Sequence, residues 1–131
     1  MKALVIDDVK QNCRVMQALL ARYGTCDTAA TGREGVASFH NAWKKVSPYE
    51  LIILDIMLPD MDGLKVLEVV RKMEGAMNVA AEQRAHVLIV SSMDPSDHIM
   101  KARELGFDAW ITKPIFHKEL VEALRRCGLV E

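Results

Sequence analysis

Cysteine is scarce in this chain: Cys13, Cys26 and Cys127 are the only three, with no C-x-x-C pair and an odd count. Neither a disulfide framework nor a zinc cage is suggested, and these thiols read as reduced packing residues. An excess of one charge is missing as well. Seventeen basic residues against 18 acidic ones give a formal net charge of -1, so there is neither a polycation for nucleic acid nor a disordered charged tail. Direct nucleic-acid binding is not expected. No apolar run approaches the roughly 20 residues of a membrane span, and the first residues enter a strand pattern instead of a signal-peptide pattern. The expectation is a soluble cytoplasmic protein with no membrane contact. Repeats, linkers and low-complexity stretches are lacking, and 131 residues suit a single domain over 1–131.

What is present is a set of apolar runs that each stop at one hydrophilic residue. Leu4-Val5-Ile6 ends at Asp7, Leu51-Ile52-Ile53-Leu54 at Asp55, Val87-Leu88-Ile89-Val90 at Ser91, and Ala109-Trp110-Ile111-Thr112 at Lys113. Continuous apolar stretches mark strands buried on both faces, as in a parallel sheet. Ligands of an open parallel sheet bind outside the carboxyl ends of its strands. Asp7, Asp8, Asp55, Ser91 and Lys113 are therefore expected at one edge.

Between the strands the period changes to that of helices. The pattern predicts helices over about 10–23, 32–45, from Leu64 onward, from Asp94-Pro95 to about Leu105, and 117–127. Strands are expected at 25–29, 50–55, 86–91 and 108–112 besides the first run. Thr31 with Glu34 reads as a capping box, and Asp94-Pro95 as a cap followed by proline in the first helical position. The stretch 75–85 reads equally as extra helical turns or as a surface loop. Regular alternation with right-handed crossovers predicts an α/β fold, doubly wound, with helices on both faces of one sheet.

Three neighbouring carboxylates raise one another's proton affinity unless a cation compensates them. Mg²⁺ suits such a set, because it takes one or two carboxylates, retains waters and accepts phosphate oxygens. With Lys113 beside them, the group suits receipt of a phosphoryl group, whose transfer depends on positioning and charge neutralisation. Asp55 is the best candidate nucleophile, for an acyl phosphate, because it ends the most apolar run. Asp7 and Asp8 would hold the metal, while the Ser91 hydroxyl and Lys113 would each meet a phosphoryl oxygen.

On these residues the chain resembles the receiver domains of two-component response regulators. The acidic pair Asp7-Asp8, the segment from Leu54 through Asp55, Pro59 and Asp60 to Gly63, the Ser91-Ser92 strand end and Lys113-Pro114 carry the resemblance. It implies a flavodoxin-like five-stranded parallel sheet of order 2-1-3-4-5. It further implies that Asp55 takes a phosphoryl group from a sensor histidine kinase or a histidine phosphotransfer protein. Asp8, Asp55 and the Met57 carbonyl would ligate Mg²⁺, with Asp7 acting through a water and Mn²⁺ able to substitute. Lys113 would contact the phosphoryl group, and the Lys113-Pro114 bond would be cis. Ser91 and Trp110 would be the switch pair that alters the helix 4, strand 5 and helix 5 surface for a downstream output protein. Met57 and Met93 would flank the hydrolytic water; thioethers orient water poorly, so slow self-dephosphorylation is expected, with a phosphate-release assay as its check.

Two other readings compete. An aspartyl phosphatase would carry D-x-D after its first strand and a cap over its substrate, and this chain has an adjacent acidic pair and no room for a cap. A flavin-binding domain of the same topology needs a hydroxyl- or glycine-rich phosphate loop where this chain has carboxylates. The four histidines, at 40, 86, 98 and 117, show no mutual ligand spacing and read as surface or capping residues. Met16, Met73, Met77 and Met100 read as packing, Trp43 as core, and Lys44, Lys45, Arg71 and Lys72 as solvated helix faces.

Overall fold

In the computed structural model, which describes residues 1–92 and 94–131, the apolar runs form β1 (Lys2–Ile6), β3 (Leu51–Leu54), β4 (His86–Ser91) and β5 (Ala109–Thr112), and a more polar segment forms β2 (Thr25–Ala29). All pair in parallel, in the order β2-β1-β3-β4-β5. Helices α1 (Lys10–Leu20), α2 (Gly32–Lys44), α3 (Gly63–Ala76), α4 (Ile99–Leu105) and α5 (His117–Arg126) follow the strands in turn. This is the doubly wound sheet expected from the sequence.

Side chains alternate along a strand, and both faces are used. Leu4, Ile6, Ile52, Leu54, Val87 and Ile89 face one side and join Phe39 of α2, Leu64 and Leu67 of α3 and Ala102 of α4. Their strand neighbours Val5, Ile53, Leu88 and Val90 face the other side, against Met16 and Leu20 of α1 and Leu120 and Leu124 of α5. Every residue of β3 is therefore buried, which explains its unbroken apolar run. Each large aliphatic side chain so buried is worth about 1.5–3 kcal/mol. The edge strand β2 is largely exposed on its outer positions and correspondingly polar.

Some local expectations shift. Helix α1 stops at Leu20, whose carbonyl then accepts from the Tyr23 and Gly24 amides to form a terminal turn. Thr31 caps α2 by accepting from the Glu34 amide at 3.1 Å, but the Glu34 carboxylate returns to the Ala30 amide at 3.0 Å instead of to Thr31. After Asp94-Pro95 there is only a 3₁₀ turn, Pro95–Asp97. His98, at φ -124° and ψ -9°, leaves the helical region before α4 starts at Ile99. In the 75–85 stretch α3 ends at Ala76 and a separate 3₁₀ turn covers Ala81–Gln83, so neither simple alternative describes it.

Met16 is core as expected, whereas Met77 is exposed just past the end of α3 and Met100 is exposed because the short α4 buries only Ala102. Trp43 is half-buried against the core. Cys13 is buried and Cys26 and Cys127 half-buried, all free thiols; burial pushes Cys26 and Cys127 up to about 11. Arg71 is a correction to the solvated-face reading. Its guanidinium pairs with Glu74, which is wholly buried, at 2.8 Å, and donates to the Gly106 and Ala85 carbonyls. No helix among the described residues is long and apolar enough to cross a membrane.

Candidate functional site

The sheet's hydrogen bonding continues one residue past the strands. The Asp7 amide donates to the Ala29 carbonyl at 3.0 Å and the Asp55 amide to the Ile6 carbonyl at 3.1 Å; across the sheet, the Lys113 amide donates to the Ser91 carbonyl at 2.9 Å. The residues that end the apolar runs are thus held by the ladder itself at its carboxyl edge. Between β1 and β3 the strand order reverses, which is where crevices open in such folds.

There Asp7, Asp8 and Asp55 each place a carboxylate oxygen within 4.8 Å of the others. Asp7 and Asp55 are buried, and Asp8 is exposed. Buried carboxylates require partners, and these have them. The Lys113 ammonium donates to Asp55 Oδ2 at 2.9 Å and to Asp7 Oδ2 at 3.2 Å. The other Asp55 oxygen, Oδ1, accepts from the Met57 amide at 3.0 Å. Asp7 accepts from the Val9 amide at 2.9 Å and from the Asn12 side-chain amide at 3.2 Å. Asn12 was not anticipated; its place on the first turn of α1, five residues after Asp7, is the signal that could have found it.

Burial alone would lower the proton affinity of Lys113, but the hydrogen bonds and charges of Asp55 and Asp7 outweigh it and raise the ammonium above the usual lysine value. Tyr49 is raised likewise, by burial first and then by its hydrogen bond to Asp27 at 2.6 Å. Both groups hold their protons more tightly in the folded chain. Their stabilisation is therefore complete below about pH 10 and is lost at higher pH, where the unfolded chain releases protons first. Urea midpoints measured from pH 8 to pH 11 should fall over the upper part of that range, and Tyr49→Phe should flatten the fall.

The loop after β3 is built from its own turn residues. Asp62 accepts from the Leu64 amide at 2.8 Å and caps α3. Asp60 reaches across to α2, accepting from the Gly32 and Arg33 amides at 2.8 and 2.9 Å, bonds that hold its carboxyl below the usual range. Gly63 packs on the Asp55 backbone: a Cβ there would lie 2.7 Å from Ile56 Cα and against the Asp55 carbonyl oxygen. Gly63→Ala is expected to destabilise the fold by about 1–3 kcal/mol, the usual range for overpacking. A urea titration checks it.

Ser91 is fully buried at the end of β4, paired in register with Thr112. Trp110 of β5 is half-buried, edge-on to Phe107 at 6.3 Å between ring centroids. Its indole N–H is buried without a hydrogen-bond partner among the described residues. Lys113-Pro114 is cis, as expected. Met57 is 58% exposed beside the site, and Met93 lies outside the described residues. A cleft of about 530 Å³ opens beside Asp7 and Asp55, lined also by Lys113, Val15, Met16 and Ile115.

Residues 3–125 match the family model of the response regulator receiver domain. The chain belongs to that family. Among solved structures this receiver is similar to a CheY-like receiver domain protein of Methanospirillum hungatei, with a TM-score of 0.81 and 26% identity over 98% of this chain and 92% of that one. Among curated proteins it is 31% identical over 126 residues to the transcriptional regulatory protein CusR of Escherichia coli, covering 95% of this chain and 50% of that protein. It is also 30% identical to hybrid signal transduction histidine kinase G of Dictyostelium discoideum, over 98% of this chain and 4% of that protein. The receiver thus spans half the length of one relative and a small part of the other.

Proposed function

We propose that this receiver is a phosphorelay switch in which Asp55 accepts a phosphoryl group from the phosphohistidine of a sensor histidine kinase or histidine phosphotransfer protein. The observation that carries the reading is the Lys113 ammonium bridging Asp55 and Asp7 at 2.9 and 3.2 Å, with Asp8 alongside. A carboxylate oxygen of Asp55 forms a bond to phosphorus as the P–N bond breaks, and the electron pair leaves on the donor imidazole. Met57 N–H and Lys113 orient the Asp55 carboxylate, and Lys113 meets the charge that develops on the phosphoryl oxygens. The open cleft gives a donor imidazole access.

The three carboxylates fit a hard divalent cation, since they supply clustered oxygens with only one lysine to balance them. Asp8, Asp55 and the Met57 carbonyl would hold Mg²⁺, or Mn²⁺ in its place, with Asp7 acting through water. The ion supplies charge neutralisation at the phosphoryl oxygens.

Ser91 and Trp110 are the switch pair. The unpartnered indole N–H supports this, because such a group costs about 1–3 kcal/mol where it lies and leaves the ring free to prefer another position. The output surface is the α4, β5 and α5 face, where Met100 and Phe116 are 75% and 62% exposed and suit a protein partner. The chain acts as a cytoplasmic signalling switch, catalysing only its own phosphorylation and slow dephosphorylation, without contacting nucleic acid or membrane.

Intact mass after incubation with acetyl phosphate and Mg²⁺ tests the reading. One added phosphoryl group is expected on the native chain and none on Asp55→Ala. An equal gain on both would overturn the assignment of Asp55.

A further inference from the structure

At the opposite edge of the sheet from the carboxylates, His86 opens β4, Asp108 precedes β5 and Cys127 caps α5 at its carboxyl end. One ligating atom from each lies within 4.8 Å of the other two. From these residues we infer a second, unrelated metal site: His86, Asp108 and Cys127 bind a borderline transition-metal ion, Zn²⁺ above all, and leave its fourth position to water. This goes beyond the phosphorelay reading and stands or falls independently of it.

The donor set is what separates this cluster from an ordinary surface ion pair. An imidazole, a carboxylate and a thiol that gives up its proton to solvent as the metal binds together match the ligand types of zinc, whereas Mg²⁺ would reject the nitrogen and sulfur. At zinc bond lengths a tetrahedron has edges of about 3.3–3.6 Å. His86 Nδ1 and Asp108 Oδ1 are already 3.1 Å apart, sharing a hydrogen that a cation would replace. Cys127 Sγ lies within 4.8 Å of a ligating atom of each, and the site is half-open, so an ion can enter.

The carboxylate is also held in place from behind. Asp108 Oδ2 accepts from the Val87 amide at 2.7 Å, and the Asp108 amide donates to the Val87 carbonyl at 2.8 Å. Such outer support orients a ligating carboxylate. The ion would clamp the last turn of α5 to the start of β4 and the entry to β5. No spacing along the chain signals this group, because the three residues meet only through the fold.

Co²⁺ titration, with Mg²⁺ in excess to occupy the Asp7, Asp8 and Asp55 cluster, is the test. The native chain should show a thiolate-to-cobalt charge-transfer band that saturates at a single equivalent and is bleached by Zn²⁺. Cys127→Ser should abolish the band, His86→Ala should weaken binding at least about tenfold, and Cys26→Ser should leave both unchanged. A band that persists in Cys127→Ser, or none in the native chain, overturns the site. Should a variant fail to fold, histidine ring NMR of the native chain decides: Zn²⁺ must shift His86 and leave His40, His98 and His117 in place, and any other pattern refutes the assignment.

Discussion

Lys113→Ala is expected to slow phosphorylation of Asp55 by about 10²–10³-fold, the usual loss when a preorganised charge donor is removed from a transition state. The ammonium is fixed by two carboxylates at 2.9 and 3.2 Å, so it needs little reorganisation as charge builds on the incoming phosphoryl group. Alanine leaves all three carboxylates of the Asp7, Asp8 and Asp55 cluster in the chain, with Asp55 still held by the Met57 amide and Asp7 by the Val9 amide, so Mg²⁺ binding should survive. The split is diagnostic. Time courses of the mass gain with acetyl phosphate, beside a Mg²⁺ titration followed by tryptophan fluorescence, measure both quantities. Lys113→Arg should recover only part of the rate, because a planar guanidinium cannot occupy the point position of the ammonium between the two acids. An unchanged rate in Lys113→Ala would remove the lysine from the chemistry and leave it a structural counter-ion.

Arg71→Ala is expected to cost about 3–5 kcal/mol, the range for breaking a buried ion pair from one side. The Glu74 carboxylate has no solvent exposure and, among the described residues, would retain only the Ala85 amide, at 2.7 Å, as partner. The Gly106 carbonyl would lose two guanidinium hydrogen bonds, of 3.1 and 2.9 Å, and the Ala85 carbonyl one of 2.8 Å. The loss is a large part of the roughly 5–15 kcal/mol that holds a domain folded. Those bonds tie α3 to the end of α4 and to the entry of β4, so the effect should appear as a lowered urea midpoint with full cooperativity. Glu74→Gln in the Arg71→Ala background should recover part of the loss, because it removes the stranded charge and keeps an acceptor for the Ala85 amide. A surface-like loss below about 0.5 kcal/mol would return Arg71 to the solvated helix face that its spacing suggests.

These two positions show why some of the molecule is legible in the chain and some is not. Asp7, Asp55, Ser91 and Lys113 are found by reading where apolar runs stop. A strand buried on both faces must be continuously apolar, and its first polar residue marks the sheet edge. The parallel ladder then brings those ends level, as the Asp7, Asp55 and Lys113 amide bonds record. Capping follows from local chemistry too, as at Thr31 and Asp62.

Arg71 gives no such signal. A charged residue on an amphipathic helix looks solvated unless a distant segment covers it, and here the cover is Gly106, 35 residues away. Asp60 looks like a turn former but caps α2 from 28 residues on. His86 and Asp108 are 22 residues apart, and Cys127 is further still along the chain. Periodicity reports which side of an element is apolar and where the element stops, because those properties are local. Which helix end lies over which strand start depends on how the crossovers pack, and that is settled by contacts between segments whose order in the chain says nothing of their distance in space.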